Sequence, residues 1–416
     1  MKILWITNNI FPEATRLLTG EGESKETGGW VLGASQALLN SCEDIELHVA
    51  SISQLINELT ILKGEQIIHY VIPYGKGKIK YNSGYEKYWL QINDIVKPDI
   101  VHIHGTEYSH GLAYVNACGS DKVVVSLQGI KSGIAPFYCA GLKRNQVFLN
   151  TTLRDLIRGN IYKEQQCFSQ SGDIEKELLR KVKNIIGRTS WDRAHAWAIN
   201  PNAKYHFNNE TLRPEFYDGS KWDYDKCDKH TIFLSQAGYP LKGLHQVLRA
   251  MPLILRHYPD TKIRVAGADI TKFSTWRDKL RISGYGKLIR HMIHQLHLEN
   301  HIEFLGPLNA EQMKQVYLNC NVFVCPSSIE NSPNSLGEAQ LLGVPHVASF
   351  VGGVADMMVG NEKNLYRFEE VEMLANKICD VFYNDNKQVD MSAVALQRHH
   401  PQYNTKHLLD IYRQIQ

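Results

Sequence analysis

Short apolar runs rich in β-branched residues alternate with longer stretches of helical periodicity along most of the chain. A strand that is covered on both faces is a continuous apolar run, so this alternation predicts parallel sheets flanked by helices. Predicted strands cover residues 2–7, 45–50, 67–72, 100–104, 123–127 and 184–188, then 231–234, 262–266, 302–305, 322–325 and 346–350. Predicted helices cover residues 30–40, 85–96, 191–199, 244–257, 310–318 and 336–342.

The alternation is interrupted once, at "TLRPEFYDGSKWDYDKCDKH", residues 211–230, which is polar, aromatic and without a sustained period. We therefore predict two doubly wound, Rossmann-like α/β domains, residues 1–210 and 211–400. Two such domains facing each other would form a cleft. In open parallel sheets ligands bind beyond the carboxyl ends of the strands, so the loops that follow the strands are the places to search for a site.

Composition restricts the class of protein and the kinds of partner that the chain can have. The chain has 416 residues, 43% of them hydrophobic and 21% charged, which is ordinary for a folded protein of two or three domains. A net charge of +3 gives no strong basic field that would indicate nucleic acid as a partner. No apolar run approaches the roughly 20 residues that span a bilayer, and the start has no signal-peptide cleavage site. The eight cysteines form no C-x-x-C pair, so we expect free thiols and a cytoplasmic protein.

The stretch "SSIENSPNSLGEAQLLGVPHVAS" follows a predicted strand and contains two glutamates, Glu330 and Glu338, separated by seven residues. Ser335-Leu336-Gly337-Glu338 has the spacing of a capping box, which explains Glu338 structurally. The backbone amides of Asn334, Ser335 and Leu336 would form a helix N-terminus suited to a phosphate. Carboxylates accept hydrogen bonds from hydroxyl groups, so Glu330 is a candidate to face a polyol bound there.

Two further loops favour anion binding. Lys242, in "LSQAGYPLKG", would stand at a helix start, where it opposes the helix dipole and is therefore better explained by a phosphate than by structure. Gly28 and Gly29, in "ETGGWVLGASQALL", would let the backbone approach a ligand, although taken without the other loops they are better explained by a helix cap with tight packing.

The remaining candidates are weaker. His102 and His104 share one face of a strand, and His104, nearest its end, is the better placed to reach a ligand, although most strand histidines are structural. The stretch 277–298 is rich in basic residues at helical spacing. It is typical of a solvated helix face, and it would also suit an anionic membrane surface. No G-x-G-x-x-G follows the first strand, which argues against a dehydrogenase.

Taken together, these loops resemble those of the retaining, nucleotide-sugar-dependent glycosyltransferases of the GT-B fold, group 1, which include enzymes of bacterial polysaccharide assembly. The resemblance is strongest over residues 231–366. It rests on "YPLKG", "IEFLGPL", "VFVCPSSIENSPNSLGEAQLLGVPHVAS" and "VGGV", with looser matches at "GGW" and "PDIVHIHG". It implies two Rossmann-like domains, with the donor held mainly by the second domain and a final helix, residues 401–416, that returns to the first.

The resemblance also implies roles for individual residues. Lys242 and the amides of residues 334–336 would neutralise the donor diphosphate, Glu338 would hold the ribose diol, and Glu330 would lie beside the donor sugar. Gly28 and Gly29 would bring backbone amides to the diphosphate. The donor would be linked to UDP or GDP, with no metal and no other cofactor. The acceptor would be a glycan or lipid-linked glycan at the inner face of the membrane.

The chain departs from the family pattern at two positions. The family usually has an arginine about five residues before the lysine, where this chain has Gln236, and a histidine where it has Gln128. We place Gln236 in the donor site, consider Arg188 as a replacement cation, and consider His104 as the catalytic histidine. The alternatives are a nucleotide-sugar epimerase of the same fold and an inactive nucleotide-sugar binding subunit.

Overall fold

A computed structural model describes residues 1–20, 29–42, 44–74, 81–384 and 389–416. The chain forms two compact units. The first comprises residues 1–133, 167–211 and 399–416, and the second comprises residues 134–166 and 212–398. This grouping differs from the predicted first domain of residues 1–210, because residues 134–166 belong with the second unit. Leu142 and Val147 of that segment pack in the hydrophobic core of the second unit.

The sheet of the first unit has eight strands in the order β3-β4-β2-β1-β5-β6-β7-β8, all parallel except the β3–β4 pair. The strand order reverses between β1 and β5. The strands are β1 (Lys2–Thr7), β2 (Glu46–Ser53), β3 (Thr60–Lys63), β4 (Ile67–Pro73), β5 (Ile100–His104), β6 (Val123–Ser126), β7 (Asn184–Gly187) and β8 (Lys204–Phe207).

The sheet of the second unit is entirely parallel, with the order β11-β10-β9-β12-β13-β14. This is the 3-2-1-4-5-6 order of a Rossmann fold, and it places the reversal between β9 and β12. The strands are β9 (Asp228–Leu234), β10 (Lys262–Ala266), β11 (Ile302–Gly306), β12 (Cys320–Cys325), β13 (His346–Ser349) and β14 (Leu365–Tyr366).

Helices connect the strands in both units, and one of the four points at which the chain passes from one unit to the other falls within α8. They are α1 (Pro12–Thr19), α2 (Gly29–Ser41), α3 (Glu86–Val96), α4 (His110–Cys118), α5 (Lys131–Ile134), α6 (Arg144–Leu149), α7 (Leu153–Arg158), α8 (Ile161–Lys181), α9 (Ser190–Ile199), α10 (Leu244–Ile254), α11 (Trp276–Arg281), α12 (Gly284–Gln295), α13 (Ala310–Asn319), α14 (Asn334–Leu341), α15 (Val354–Met357), α16 (Val371–Tyr383), α17 (Ser392–His399) and α18 (Pro401–Ile415).

Each sheet has a hydrophobic core on both faces, which is why its strands are continuous apolar runs. In β9, Ile232 and Leu234 pack in one core while Phe233 packs in the other. In β1, Ile3 and Trp5 lie on one side, and the neighbouring Leu4 and Ile6 lie on the other. The predicted α/β class with parallel sheets is therefore confirmed. None of the described helices is long and apolar enough to span a membrane.

Candidate active site

The two loops that carry Lys242 and Glu330 follow β9 and β12, the strands between which the strand order reverses. Beyond such a point the connections leave toward opposite faces of the sheet and open a crevice. Lys242 ends a 3₁₀ turn that leads into α10, which begins at Leu244 as predicted. Ser328 in the second loop donates its backbone N–H to the carbonyl of Leu241 at 2.8 Å, which fixes the two loops together.

Lys242 and Glu330 form an ion pair. The Nζ of Lys242 donates to Oε1 of Glu330 at 2.6 Å, and the Oγ of Ser327 donates to the same oxygen at 2.7 Å. Burial by itself would lower the pKa of Lys242, but the carboxylate of Glu330 and the phenol of Tyr239 outweigh it and raise this pKa above its ordinary value. Lys242 is therefore positively charged at neutral pH. Of its three N–H bonds, one is donated to Glu330 and another to the phenol oxygen of Tyr239, so the third can be donated to a ligand anion.

Two glycines hold these loops close together. Gly243, with a φ of +72°, lies so close to the carbonyl oxygen of Pro326 that a Cβ would stand 1.7 Å from it. Gly352, with a φ of +51°, lies against the carbonyl oxygen of Glu330, 2.0 Å from where its Cβ would be. The next residue, Gly353, donates its N–H to that same carbonyl at 3.0 Å. The backbone of Glu330 is therefore fixed by the loop that follows β13.

The predicted capping box at Ser335 is wrong. Helix α14 begins at Asn334, its N-cap is Pro333, and no side chain caps it. Glu338 instead pairs with Arg213, whose Nε and one terminal nitrogen donate to its two carboxylate oxygens at 2.8 and 2.9 Å. A bidentate bond to a guanidinium is stronger than a bond to a helix amide, which explains why the carboxylate turns away from the helix start.

The first turn of α14 lies beside the loop that carries Glu330. Asn334 and Ser335 occupy its first two positions, where helix geometry provides no intrahelical acceptor for the backbone N–H. The amide of Leu336, in contrast, donates to the carbonyl of Pro333 at 3.0 Å, so it is already used. The Oδ1 of Asn334 is buried and has no hydrogen-bond partner among the residues that the structure describes. Two of the three predicted amides therefore have no intrahelical acceptor, and their role in binding an anion stays a prediction.

Arg213 is the main site residue that sequence reasoning missed. It lies in the aperiodic stretch between the two predicted domains, 125 positions before Glu338. Burial raises the pKa of the Glu338 carboxyl, and the bonds and charge of Arg213 oppose this effect. No local pattern marked Arg213, because only the fold of the second unit brings it to α14. Gln236 is exposed in the loop that follows β9.

The candidates of the first unit lie apart from this cluster in the sequence. His104 ends β5 and is buried, with its ring 3.8 Å from that of His102 and 4.4 Å from that of Trp5. Burial lowers the pKa of His104 to about 3, so it is neutral near pH 7. A group with such a pKa is a poor proton acceptor, which weakens the predicted catalytic role.

Two other first-unit predictions have different outcomes. Arg188, considered as a replacement cation, is buried and paired with Glu210 at 2.6 Å, and Gln128 donates to the same carboxylate at 2.8 Å. Its charge is thus already balanced within the first unit. Gly29 is the first residue of α2, whereas Gly28 lies outside the described residues.

A metal site was not predicted. Among the residues that the structure describes, no three His, Cys, Asp or Glu side chains lie together in a way that would hold a metal ion. Metal independence itself stays a prediction, to be tested with a chelator.

Residues 221–398, which include the Lys242–Glu330 pair and helix α14, match the family described as glycosyl transferases group 1. This match covers less than half of the chain. Two curated relatives match in sequence. The D-inositol 3-phosphate glycosyltransferase of Corynebacterium urealyticum is 26% identical over 185 residues, 42% of this chain and 41% of that protein. An uncharacterised glycosyltransferase of Methanocaldococcus jannaschii is 30% identical over 131 residues, 32% of this chain and 30% of that protein. The chain thus spans less than half the length of these relatives.

Solved structures extend the likeness to the fold of the whole chain. Sucrose-phosphate synthase from Thermosynechococcus elongatus aligns with a TM-score of 0.69 at 14% identity, covering 100% of this chain and 98% of the other. Anabaena HepE in complex with UDP aligns with a TM-score of 0.64 at 15% identity, covering 100% of both chains. At such identities the likeness shows the fold alone. The predicted GT-B class, with two Rossmann-like units, is confirmed.

Proposed function

We propose that this protein transfers a sugar from a nucleoside diphosphate sugar to an acceptor hydroxyl with retention of the anomeric configuration. The observation that carries the proposal is the cluster at the strand reversal of the second unit. A half-buried ammonium, a carboxylate and the start of a helix meet there on two adjoining loops. The match of residues 221–398 to the group 1 family supports the same conclusion.

The diphosphate is the group that this cluster suits best. When the bond between the anomeric carbon and the diphosphate oxygen breaks, negative charge develops on the leaving oxygen. Lys242 and the amides of Asn334 and Ser335 are placed to stabilise that charge, which is usually the largest contribution to catalysis. The acceptor oxygen forms the new bond on the same face, and its proton passes to the departing phosphate.

The two glutamates take different roles in this proposal. Glu330 is held by Lys242, Ser327 and the Gly352–Gly353 loop, and we assign it to positioning the donor sugar beside the ammonium. Glu338 is assigned to the ribose diol, with Arg213 fixing the orientation of its carboxylate. Gly29 is assigned to the diphosphate, and Gln236 to the donor site, in the region 236–238 where the family usually has an arginine.

The substrates are proposed by class. UDP is the first candidate for the nucleotide because Anabaena HepE, which shares the fold, is described in complex with UDP. GDP is the second candidate. We propose a glycan or lipid-linked glycan as the acceptor, cell-surface polysaccharide biosynthesis as the process, and action without a metal ion in the cytoplasm, at the inner face of the membrane.

The first experiment is a thermal-shift screen of UDP, GDP, ADP and their common sugar conjugates, with magnesium and with EDTA. Binding to the folded protein raises its melting temperature. The nucleotide that binds is then used in a turnover assay that follows release of nucleoside diphosphate, with NMR to read the anomeric configuration of the product. We expect a shift that persists in EDTA and a product with the configuration of the donor.

Variants test the cluster in that assay. Lys242→Ala and Glu330→Gln should each reduce turnover about 100-fold or more, as loss of one charge-stabilising group does in other enzymes. Lys226→Ala, which removes an exposed lysine of the same unit, is the matched control and should retain turnover. Turnover within threefold of wild type in Lys242→Ala would contradict the proposal. Nucleotide binding without turnover would favour the inactive binding subunit, and conversion of the donor without an acceptor would favour the epimerase.

A further inference from the structure

Helix α7 turns its apolar side chains outward. Leu153, Leu156 and Ile157 are 59%, 74% and 82% exposed, while Asp155 between them is buried. The three apolar residues have the spacing i, i+3 and i+4, so they share one face of the helix. In most amphipathic helices of a folded protein this is the face that packs on the core, whereas here it faces outward.

Helix α11 also turns its apolar side chains outward. Trp276 and Leu280, at i and i+4, are both exposed, and no residue of this helix is buried. The two helices are joined where the Oγ1 of Thr152 donates to the carbonyl of Ile282 at 2.9 Å. Leu149, also exposed, accepts a hydrogen bond at its carbonyl from Lys287 of α12. We name Leu149, Leu153, Leu156, Ile157, Trp276 and Leu280 the apolar patch.

The two segments that carry the apolar patch are rich in basic residues. The two segments that contain it, residues 143–163 and 272–290, hold eleven lysines and arginines against two acidic residues, whereas the whole chain has a net charge of only +3. The two acidic residues are Asp155 and Asp278. Each accepts a hydrogen bond from the backbone N–H of the residue that caps its helix. Positive charge is therefore concentrated in the two segments that carry the apolar side chains, and the rest of the chain is net negative.

We propose that the apolar patch docks on a lipid bilayer that contains anionic headgroups. Leucine, isoleucine and tryptophan side chains enter the boundary between headgroups and acyl chains, while lysines and arginines around them pair with anionic lipids. The charge distribution favours a membrane over a second copy of the chain, since two such basic surfaces repel each other in a symmetric contact. This inference uses none of the donor-site residues and does not depend on the proposed reaction.

The test is co-sedimentation of the full-length protein with vesicles. The vesicles contain either phosphatidylcholine alone or phosphatidylcholine with about 30% phosphatidylglycerol, at low and at physiological salt. We expect binding to the anionic vesicles at least tenfold stronger than to the neutral ones, and weaker binding as salt rises, because ions screen the basic residues. Equal binding to both vesicle types, or no binding at low salt, would overturn the proposal.

Two double variants separate the apolar and basic contributions. Leu156→Ser with Ile157→Ser should weaken binding at least tenfold, and Arg158→Gln with Arg281→Gln at least fivefold. All four side chains are exposed, so the unfolding midpoint should change little. The matched controls are Leu55→Ser in the first unit and Lys226→Gln with Lys363→Gln in the second, which should bind as wild type does. Unchanged binding in both patch variants would overturn the proposal. The proposal would also be overturned if light scattering shows a dimer that dissociates in the Leu156→Ser, Ile157→Ser variant, because the patch would then bind a second copy of the chain.

Discussion

At the scale of single residues, the pairing of Glu338 with Arg213 shows what local sequence can and cannot reveal. The spacing from Ser335 to Glu338 is correct for a capping box, so the sequence alone predicts one. In the fold, the Glu338 carboxylate pairs with the guanidinium of Arg213, a stronger hydrogen-bond partner that lies 125 positions earlier in the chain. The presence of a carboxylate at this point was predictable from the loop after β12, but its partner was not.

Substitution of Arg213 tests whether this pairing positions Glu338. Arg213→Ala leaves a buried carboxylate without its counter-ion. We therefore expect the free energy of unfolding to fall by about 1–3 kcal/mol, because a lost charged hydrogen bond in a partly exposed site costs that much. The affinity for the nucleotide should fall about tenfold, as measured by calorimetric titration. Arg367→Ala removes an exposed arginine of the same unit and serves as the control. Nucleotide affinity equal to that of wild type in Arg213→Ala would refute the positioning role.

At the scale of elements, the loop after β13 supports the loop after β12 through backbone contact alone. Gly352→Ala would place a methyl group against the carbonyl of Glu330, so we expect that carbonyl and its side chain to shift and turnover to fall at least tenfold. Gly360→Ala is the matched control, since Gly360 also has a positive φ, of +92°, but has no atom within 4 Å of its Cβ position. Melting temperature and turnover are measured for both variants. Gly360→Ala reports the effect of backbone strain alone, and any additional loss in Gly352→Ala reports the contact with the Glu330 carbonyl. Equal loss of turnover in both variants would refute the close-contact explanation.

Most elements were predictable because burial and periodicity coincide in them. The inner strands of both sheets are buried on two faces, so apolar runs mark them with errors of a few residues at the ends. The edge strands β3, β8 and β14 were not predicted, because β3 and β8 are partly exposed and β14 has only two residues. The stretch from residue 129 to residue 172 was not predictable, and it forms α5, α6, α7 and part of α8. In α7 the apolar residues are exposed, so the usual relation between pattern and burial fails there. Gly172, inside α8, would also suggest a break, yet it lets the helix approach the backbone of Ser132.

At the scale of the whole molecule, alternation predicted two parallel sheets, but it did not predict how the chain divides between the units. A linear reading assigns residues 134–166 to the first half, whereas Leu142 and Val147 add apolar area to the second core. Burial of such side chains is worth about 1.5–3 kcal/mol each, which is enough to decide the side on which a segment packs. Helix α18 similarly packs in the core of the first unit, through Leu408 and Tyr412.

Buried histidines make the stability of the whole chain sensitive to acid. Burial lowers the pKa of His104 to about 3 and those of His206, His245 and His346 to about 4. The unfolded chain takes up these protons near pH 6.5, so it binds more protons than the folded chain between about pH 4 and pH 6.5. Stability from these groups is therefore complete above pH 6.5. It is lost as the pH falls below that value, by about 1.4 kcal/mol per pH unit for each histidine.

Urea unfolding at pH 7.5 and pH 5.5 measures this loss, and we expect a lower midpoint at pH 5.5. His206→Gln removes one of the four groups and should reduce the difference between the two pH values by about 1.4 kcal/mol. His291→Gln, at an exposed position, should leave it unchanged. A midpoint that is the same at both pH values would contradict the assignment of neutral buried histidines, since each of them must take up a proton when the chain unfolds at pH 5.5.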